Sequence, residues 1–247
     1  MEYNILIISC TLFLLIAFLY SSVGHAGASG YLAVMALLSF PIELIKPISL
    51  LLNIVVALIA SWKFIKAGYF DKRLFLIFAV TSIPMAFVGG YLQVNPFWFK
   101  ILAGVFLIAS ALLLILRQFL KPAETHRTIS VFPALLVGGA IGFLSGLLGV
   151  GGGIFLSPIM VLFGLTSIRN ASGVAALFIL CNSILGLTGH YVSFRLIPTE
   201  ILYFIPMVMI GGYIGAHYGS QKFNNKIIVG FLFLVLLSAG LKFVFIG

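Results

Sequence analysis

Apolar runs alternate with short polar breaks along the whole chain. The runs cover 4–23, 28–40, 47–65, 74–93, 97–116, 131–148, 153–164, 170–191, 200–219 and 226–246. Eight of the ten are long enough to cross a hydrocarbon core of roughly 30 Å, which takes about 20 helical residues. The runs 28–40 and 153–164 are shorter, and at about 1.5 Å per residue they reach roughly 20 Å. They read as tilted spans in a thinned bilayer or as re-entrant half-helices ending inside it. The pattern predicts an all-α polytopic membrane protein. Residues 1–23 carry no Lys or Arg ahead of the apolar run, only Glu2, so they read as a retained membrane segment and not as a signal peptide.

The longest polar stretch, 117–130, divides the chain nearly in half, and the halves resemble each other. Residues 83–91 read IPMAFVGGY and residues 205–213 read IPMVMIGGY. Aligned outward, Asn53 falls opposite Asn182, and Gly24-His25-Ala26-Gly27 falls opposite Gly149-Val150-Gly151-Gly152. Matches in the same order across both halves indicate duplication. Each half holds five segments, an odd number, so tandem halves enter the bilayer from opposite sides. The expected architecture is two inverted repeats, 1–120 and 131–247, joined by a polar linker at 121–130. Each repeat has four long transmembrane helices plus one short helix.

Charge agrees with this topology. The loops on one side carry Lys63, Lys66, Lys72, Arg73, Arg117, Lys121, Arg127, Arg169, Lys222 and Lys226, and the other side carries Lys46, Lys100, Arg195 and Lys242. The richer side is expected to be cytoplasmic, with both termini outside. Mean hydropathy is +1.26 and only 8% of residues are Asp, Glu, Lys or Arg, against about 25% in soluble domains. A surface facing lipid needs no more. The basic balance, 14 Lys and Arg against 5 Asp and Glu, therefore reflects loop charges and not a nucleic-acid surface. Cys10 and Cys181 lie inside apolar runs and suggest neither a disulfide nor a metal site.

The chemistry concentrates ahead of the two short segments. One is preceded by Gly149-Val-Gly-Gly-Gly153, the other by Ser21-Ser-Val-Gly-His-Ala-Gly-Ala-Ser-Gly30. Unwound glycine-rich backbone is tolerable in a bilayer where it lines a cavity or faces a polar ligand. A helix starting after such a turn offers free N–H groups and the positive end of its dipole, which suits an anion. The candidate substrate-binding residues are Ser22, Gly24, His25, Gly27, Ser29, Asn53, Gly149, Gly151, Gly152, Gly153, Asn182 and Ser183. Ser145 and Ser157 could add hydroxyls, although a single serine more often bonds the carbonyl of its own helix. His25 could bind anion when protonated or carry a proton, or it could be a neutral packing group. Gly89-Gly90 and Gly211-Gly212 lie inside full-length helices and read as packing positions. His190 and His217 read as interfacial, and Trp62 and Trp98 as interfacial anchors. No acidic residue lies mid-span, so a carboxylate proton relay has no candidate.

The order GLLGVGGGIFLSPIMVLFG at 146–164, its looser copy at 19–38 and the two-half layout resemble the sulfite exporter (TauE/SafE) family of membrane permeases. The resemblance implies sulfite, thiosulfate, organosulfonate or related anions as substrates, many of them exported, and a bacterial inner membrane as location. The first half departs from the pattern at His25, Ala26, Ala28 and Ser29, and has no proline matching Pro158. The expected function is a secondary transporter or facilitator of a small anion. An anion channel is the alternative, and a membrane-embedded enzyme or a structural subunit are weaker ones. The expected partners are the anion and lipid, with no cofactor, metal or nucleic acid; homo-oligomerisation stays open.

Overall fold

A computed structural model describes residues 3–22, 25–119, 130–194, 199–219 and 225–245. The linker expected at 121–130 therefore lies almost wholly outside the described residues. Among the described residues ten helices follow one another: α1 Tyr3–Ser22, α2 Ala28–Leu37, α3 Ile42–Lys66, α4 Lys72–Tyr91, α5 Pro96–Phe119, α6 Val131–Leu148, α7 Gly153–Leu162, α8 Ile168–Phe194, α9 Ile201–Gly219 and α10 Asn225–Phe245. Six of them (α1, α3, α4, α5, α6, α8) are long and apolar enough to cross a membrane. Helices α9 and α10 have 19 and 21 residues.

The two short helices start differently from their neighbours. Helix α4 begins at Asp71, whose carboxylate accepts from Leu74 N at 3.0 Å. Before α5, Asn95 accepts from Phe97 N at 2.9 Å, with Pro96 at the first helical position, where its missing N–H costs nothing. Helices α2 and α7 instead follow Gly27 and Gly152, both left-handed (φ 102° and 76°), with no side-chain cap. No capping side chain accepts from their first N–H groups, although Phe155 N donates to Gly152 O at 3.2 Å. Each has 10 residues, about 15 Å, half of a hydrocarbon core.

The turns around these helices repeat in detail. His25 N bonds Tyr20 O at 2.9 Å and Val150 N bonds Ser145 O at 3.1 Å. At the far ends, Phe40 N bonds Met35 O and Leu165 N bonds Met160 O, both at 2.9 Å. Ser39, with a positive φ of 57°, stands where the other half has Gly164 at 66°. Helix pairing also repeats. α1 packs on α9 as α6 packs on α4, α3 on α9 as α8 on α4, α2 on α3 as α7 on α8, and α2 on α10 as α7 on α5.

The packing does not follow the order of the chain. Helices α1, α3 and α9 form one group, and α4, α6 and α8 form another. The groups meet along a seam between α3 and α8, while α5 pairs with α10 and the two touch the short helices. Within the groups, backbones approach at glycines. Methyl groups on Gly138, Gly142 and Gly146 of α6 would collide with the carbonyls of Phe78, Ser82 and Ala86 of α4. Gly211 and Gly215 of α9 stand likewise against Leu14 and Phe18 of α1. This spacing of four is the small-residue packing of membrane helices. It confirms the packing reading of Gly89, Gly90 and Gly211, which face the backbone of Phe143, Gly186 and Leu14; Gly212 faces the Val56 side chain. Trp62 and Trp98 are 59% and 58% exposed near helix ends, where interfacial anchors belong.

Candidate transport site

The glycine-rich turn 149–153 lies beside the middle of α3. A methyl group on Gly151 would overlap the Asn53 amide and stand 3.2 Å from Ser183 Oγ. Asn53 is near the centre of the 25-residue α3, so the turn sits about half way along that span. Gly151 has φ 72°, which a side chain would strain. Gly152 and Gly153 face Ile141, Phe178 and Ile179, so they also serve close packing. Gly149 faces the backbone of Lys46.

Asn53 Nδ2 donates to Ser183 Oγ at 2.9 Å, across the seam from α3 to α8. Asn182 Oδ1 accepts from Ser82 Oγ at 3.0 Å, inside the α4, α6, α8 group. All four side chains are fully buried. Each amide keeps one end without a partner, Oδ1 of Asn53 and Nδ2 of Asn182. A half-turn of the Asn53 amide would preserve the link, with the serine donating, and free Nδ2 as a donor. Ser49 Oγ, one turn before Asn53 on α3, and Ser145 Oγ, one turn before Gly149, are buried and also lack partners.

The first turn is more self-contained. Ser29 Oγ pairs with Tyr20 OH at 2.8 Å, and Tyr31 OH donates to Ala26 O at 3.1 Å. Ser22 Oγ donates to Leu19 O at 2.7 Å, the bond to its own helix that lone serines favour. A methyl on Gly27 would stand 3.0 Å from the Tyr31 ring. Gly24 lies outside the described residues. One group reaches out: His25 Nε2 meets Ser157 Oγ of α7 at 3.0 Å, with His25 2% exposed. The sequence candidates thus divide into Gly151, Asn53 and Ser183 together, His25 with Ser157, and Asn182 with Ser82.

Three residues were missed. Ser82 and Ser49 carry no signal that separates them from other serines in apolar runs. An apolar run that begins at Pro47 puts Lys46 among the loop charges. Helix α3 starts earlier, at Ile42, and accommodates Pro47 inside. Lys46 is consequently buried, 6% exposed, and donates to the carbonyls of Gly89, Gly90 and Leu92 at 3.3, 2.8 and 3.4 Å. His190, expected at the interface, is also buried, at 2% exposure; His217 is exposed. An apolar cavity of about 170 Å³ lies elsewhere, at the start of α3, lined by Ile5, Phe40, Pro41, Leu44, Ile48 and Glu200. Among the described residues, no three His, Cys, Asp or Glu side chains gather as a metal site would require.

The chain matches the family described as "Sulfite exporter TauE/SafE" over residues 9–243. It is 34% identical over 234 residues to "Probable membrane transporter protein y4hK" of Sinorhizobium fredii, covering 93% of this chain and 94% of that one. "Probable membrane transporter protein YunE" of Bacillus subtilis is 27% identical over 218 residues, covering 81% and 80%. A probable membrane transporter protein of Methanocaldococcus jannaschii is 26% identical over 195 residues, covering 72% and 69%. No solved structure matches. With the family matched over nearly its whole length and helices suited to a bilayer, the chain belongs to the sulfite exporter TauE/SafE family and is an integral membrane transporter.

Proposed function

We propose that this transporter is a secondary carrier of a small anion, sulfite, thiosulfate, an organosulfonate or a related organic acid, and that it works outward. The observation that carries the reading is the turn 149–153. It opens a half-length helix half way along the span, without a side-chain cap, beside buried Ser183 and, from the other side of the seam, buried Asn53. Free N–H groups and a helix dipole favour negative charge, and an amide and hydroxyls supply orientation. Outward movement of a monoanion from a negative-inside cell gains about 2.3 kcal/mol per 100 mV, so export needs no coupled ion.

The carrier reading rests on two inverted repeats that interleave about the seam. Repeated turn geometry and repeated helix pairing support the duplication, and five helices per repeat supply the inversion. Positions near 70 then face the cytoplasm and position 43 faces outside; labelling of both from one side would overturn the topology.

The function is tested by melting the purified protein with sulfite, thiosulfate, sulfoacetate, taurine, sulfate and dicarboxylates. A ligand at one hundred times its Kd stabilises the folded state by about 2.7 kcal/mol. Saturable flux of a stabilising anion in proteoliposomes is the expected result. Unitary currents would make the protein a channel, and preference for a cation would remove the anion mechanism.

A further inference from the structure

Lys46 brings a formal positive charge into the membrane span of α3, and its position relative to the seam gives that charge a use. Its helix belongs to the α1, α3, α9 group, whereas the three carbonyls it reaches end α4 in the opposite group. The end of a helix carries partial negative charge, which suits an ammonium, but ending a helix does not require one; glycine caps and water serve most helices. Two of the three contacts are long, at 3.3 and 3.4 Å. Any widening of the seam at this end draws Nζ from those carbonyls and opens the ammonium to a charged partner.

The rest of the α3 face says what that partner is. Lys46, Ser49 and Asn53 are spaced i, i+3 and i+7, one stripe of a helix. Leu50, beside them, faces Gly186 of α8; a methyl there would lie 3.5 Å from Leu50 Cδ2. Ser49 Oγ and Asn53 Oδ1 are fully buried without partners. The Lys46 stem passes the second turn, its Cγ 3.4 Å from the methyl position of Gly149. A charge, a hydroxyl and an amide thus line one face from the end of the span to the turn at its middle.

We propose that the Lys46–Ser49–Asn53 face of α3 is the path of a small oxyanion to the turn 149–153, and that Lys46 exchanges the α4 carbonyls for the anion. The inference rests on the anion reading above and adds the group that selects for charge.

The test uses the full chain in proteoliposomes with thiosulfate and sulfite as probes, and the ligand-free melting temperature as a fold control. Lys46→Gln retains a donor for the α4 carbonyls and loses the charge; Lys46→Arg retains the charge. The expected result is a KM raised about tenfold or more in Lys46→Gln and a near-normal KM in Lys46→Arg, since a hydrogen bond to a charged group is worth more than a neutral one. Ser49→Ala, which leaves Lys46 in place, is expected to raise KM several-fold and carries the test if Lys46→Gln fails to fold. A wild-type KM in Lys46→Gln, or equal defects in both Lys46 variants with equal losses of melting temperature, would reduce Lys46 to a cap on α4. A wild-type KM in Ser49→Ala would remove the path. Failure of the wild-type protein to carry any anion would instead overturn the underlying reading.

Discussion

Asn53 and Asn182, aligned with each other in the sequence, make different bonds. Asn53 ties α3 to α8 across the seam, and Asn182 ties α8 to α4 within one group. A buried polar atom left unsatisfied costs about 1–3 kcal/mol, so each free amide end is a standing cost that a ligand or water can relieve. Asn53→Ala and Asn182→Ala are each expected to lower transport several-fold in a flux assay. Asn182→Ala should also lower the melting temperature, because it strands the Ser82 hydroxyl. Wild-type flux in both would leave the amides as interhelical links only. Gly151→Ala is expected to lose binding and stability together, through its positive φ and through collision with Asn53. Gly68, at φ 77° with nothing within 4 Å of its methyl position, isolates the first effect. Gly68→Ala should cost about 1–2 kcal/mol and leave binding intact. Equal binding by the two variants would show that crowding at Asn53 is irrelevant to the site.

Helix α6 carries two adjacent glycines in opposite situations. Gly138 is pressed against the Phe78 carbonyl, whereas the methyl position of Gly139 has ordinary contacts, the nearest at 3.6 Å. Gly138→Ala must push α6 off α4 and should cost about 1–3 kcal/mol, as overpacking does. Gly139→Ala fits and should be neutral or stabilising by up to about 1 kcal/mol, the helix preference of Ala over Gly. Thermal melts of the two variants decide this, and equal effects would contradict the α4–α6 contact. The same contrast separates the short helices from the long ones. Most apolar helices of the chain could be redrawn by a residue or two without consequence. Helices α2 and α7 could not, because their starts at the left-handed Gly27 and Gly152 fix where an N-terminus without a side-chain cap stands.

At the scale of the molecule, glycine packing is densest within the groups. To a close glycine contact, Gly173 of α8 against Tyr69 and Phe64, the seam adds the polar links of Asn53 to Ser183 and Lys46 to the end of α4; His25 joins the first turn to Ser157 on α7. Backbone packed on backbone moves as one body, and side-chain hydrogen bonds can break and re-form, which makes the seam the expected line of movement. In a background with Cys10 and Cys181 replaced, Leu50→Cys with Gly186→Cys should cross-link the seam and arrest transport until reduced. Gln93→Cys with Ser193→Cys joins the segment after α4 to α8 within one group, where Gln93 Nε2 donates to Ser193 Oγ at 3.2 Å, and should leave transport intact when oxidised. Arrest by the second pair and not the first would place the movement inside the group.

The sequence by itself determined the membrane class, the helices and the pair of short ones. Each depends on local signals, a run of about 20 apolar residues or a glycine turn, that need no distant partner. Only the tertiary structure decided that the halves interleave into groups that cut across the chain order. It also decided that Asn53 and Asn182 face different neighbours, and that Lys46 lies inside. The physical reason is that lipid is as apolar as a protein core. Phe78 is fully buried and Phe97 is 62% exposed, yet both are phenylalanines in apolar helices. Hydropathy therefore marks where a helix crosses the bilayer and carries little information on which of its faces meets another helix.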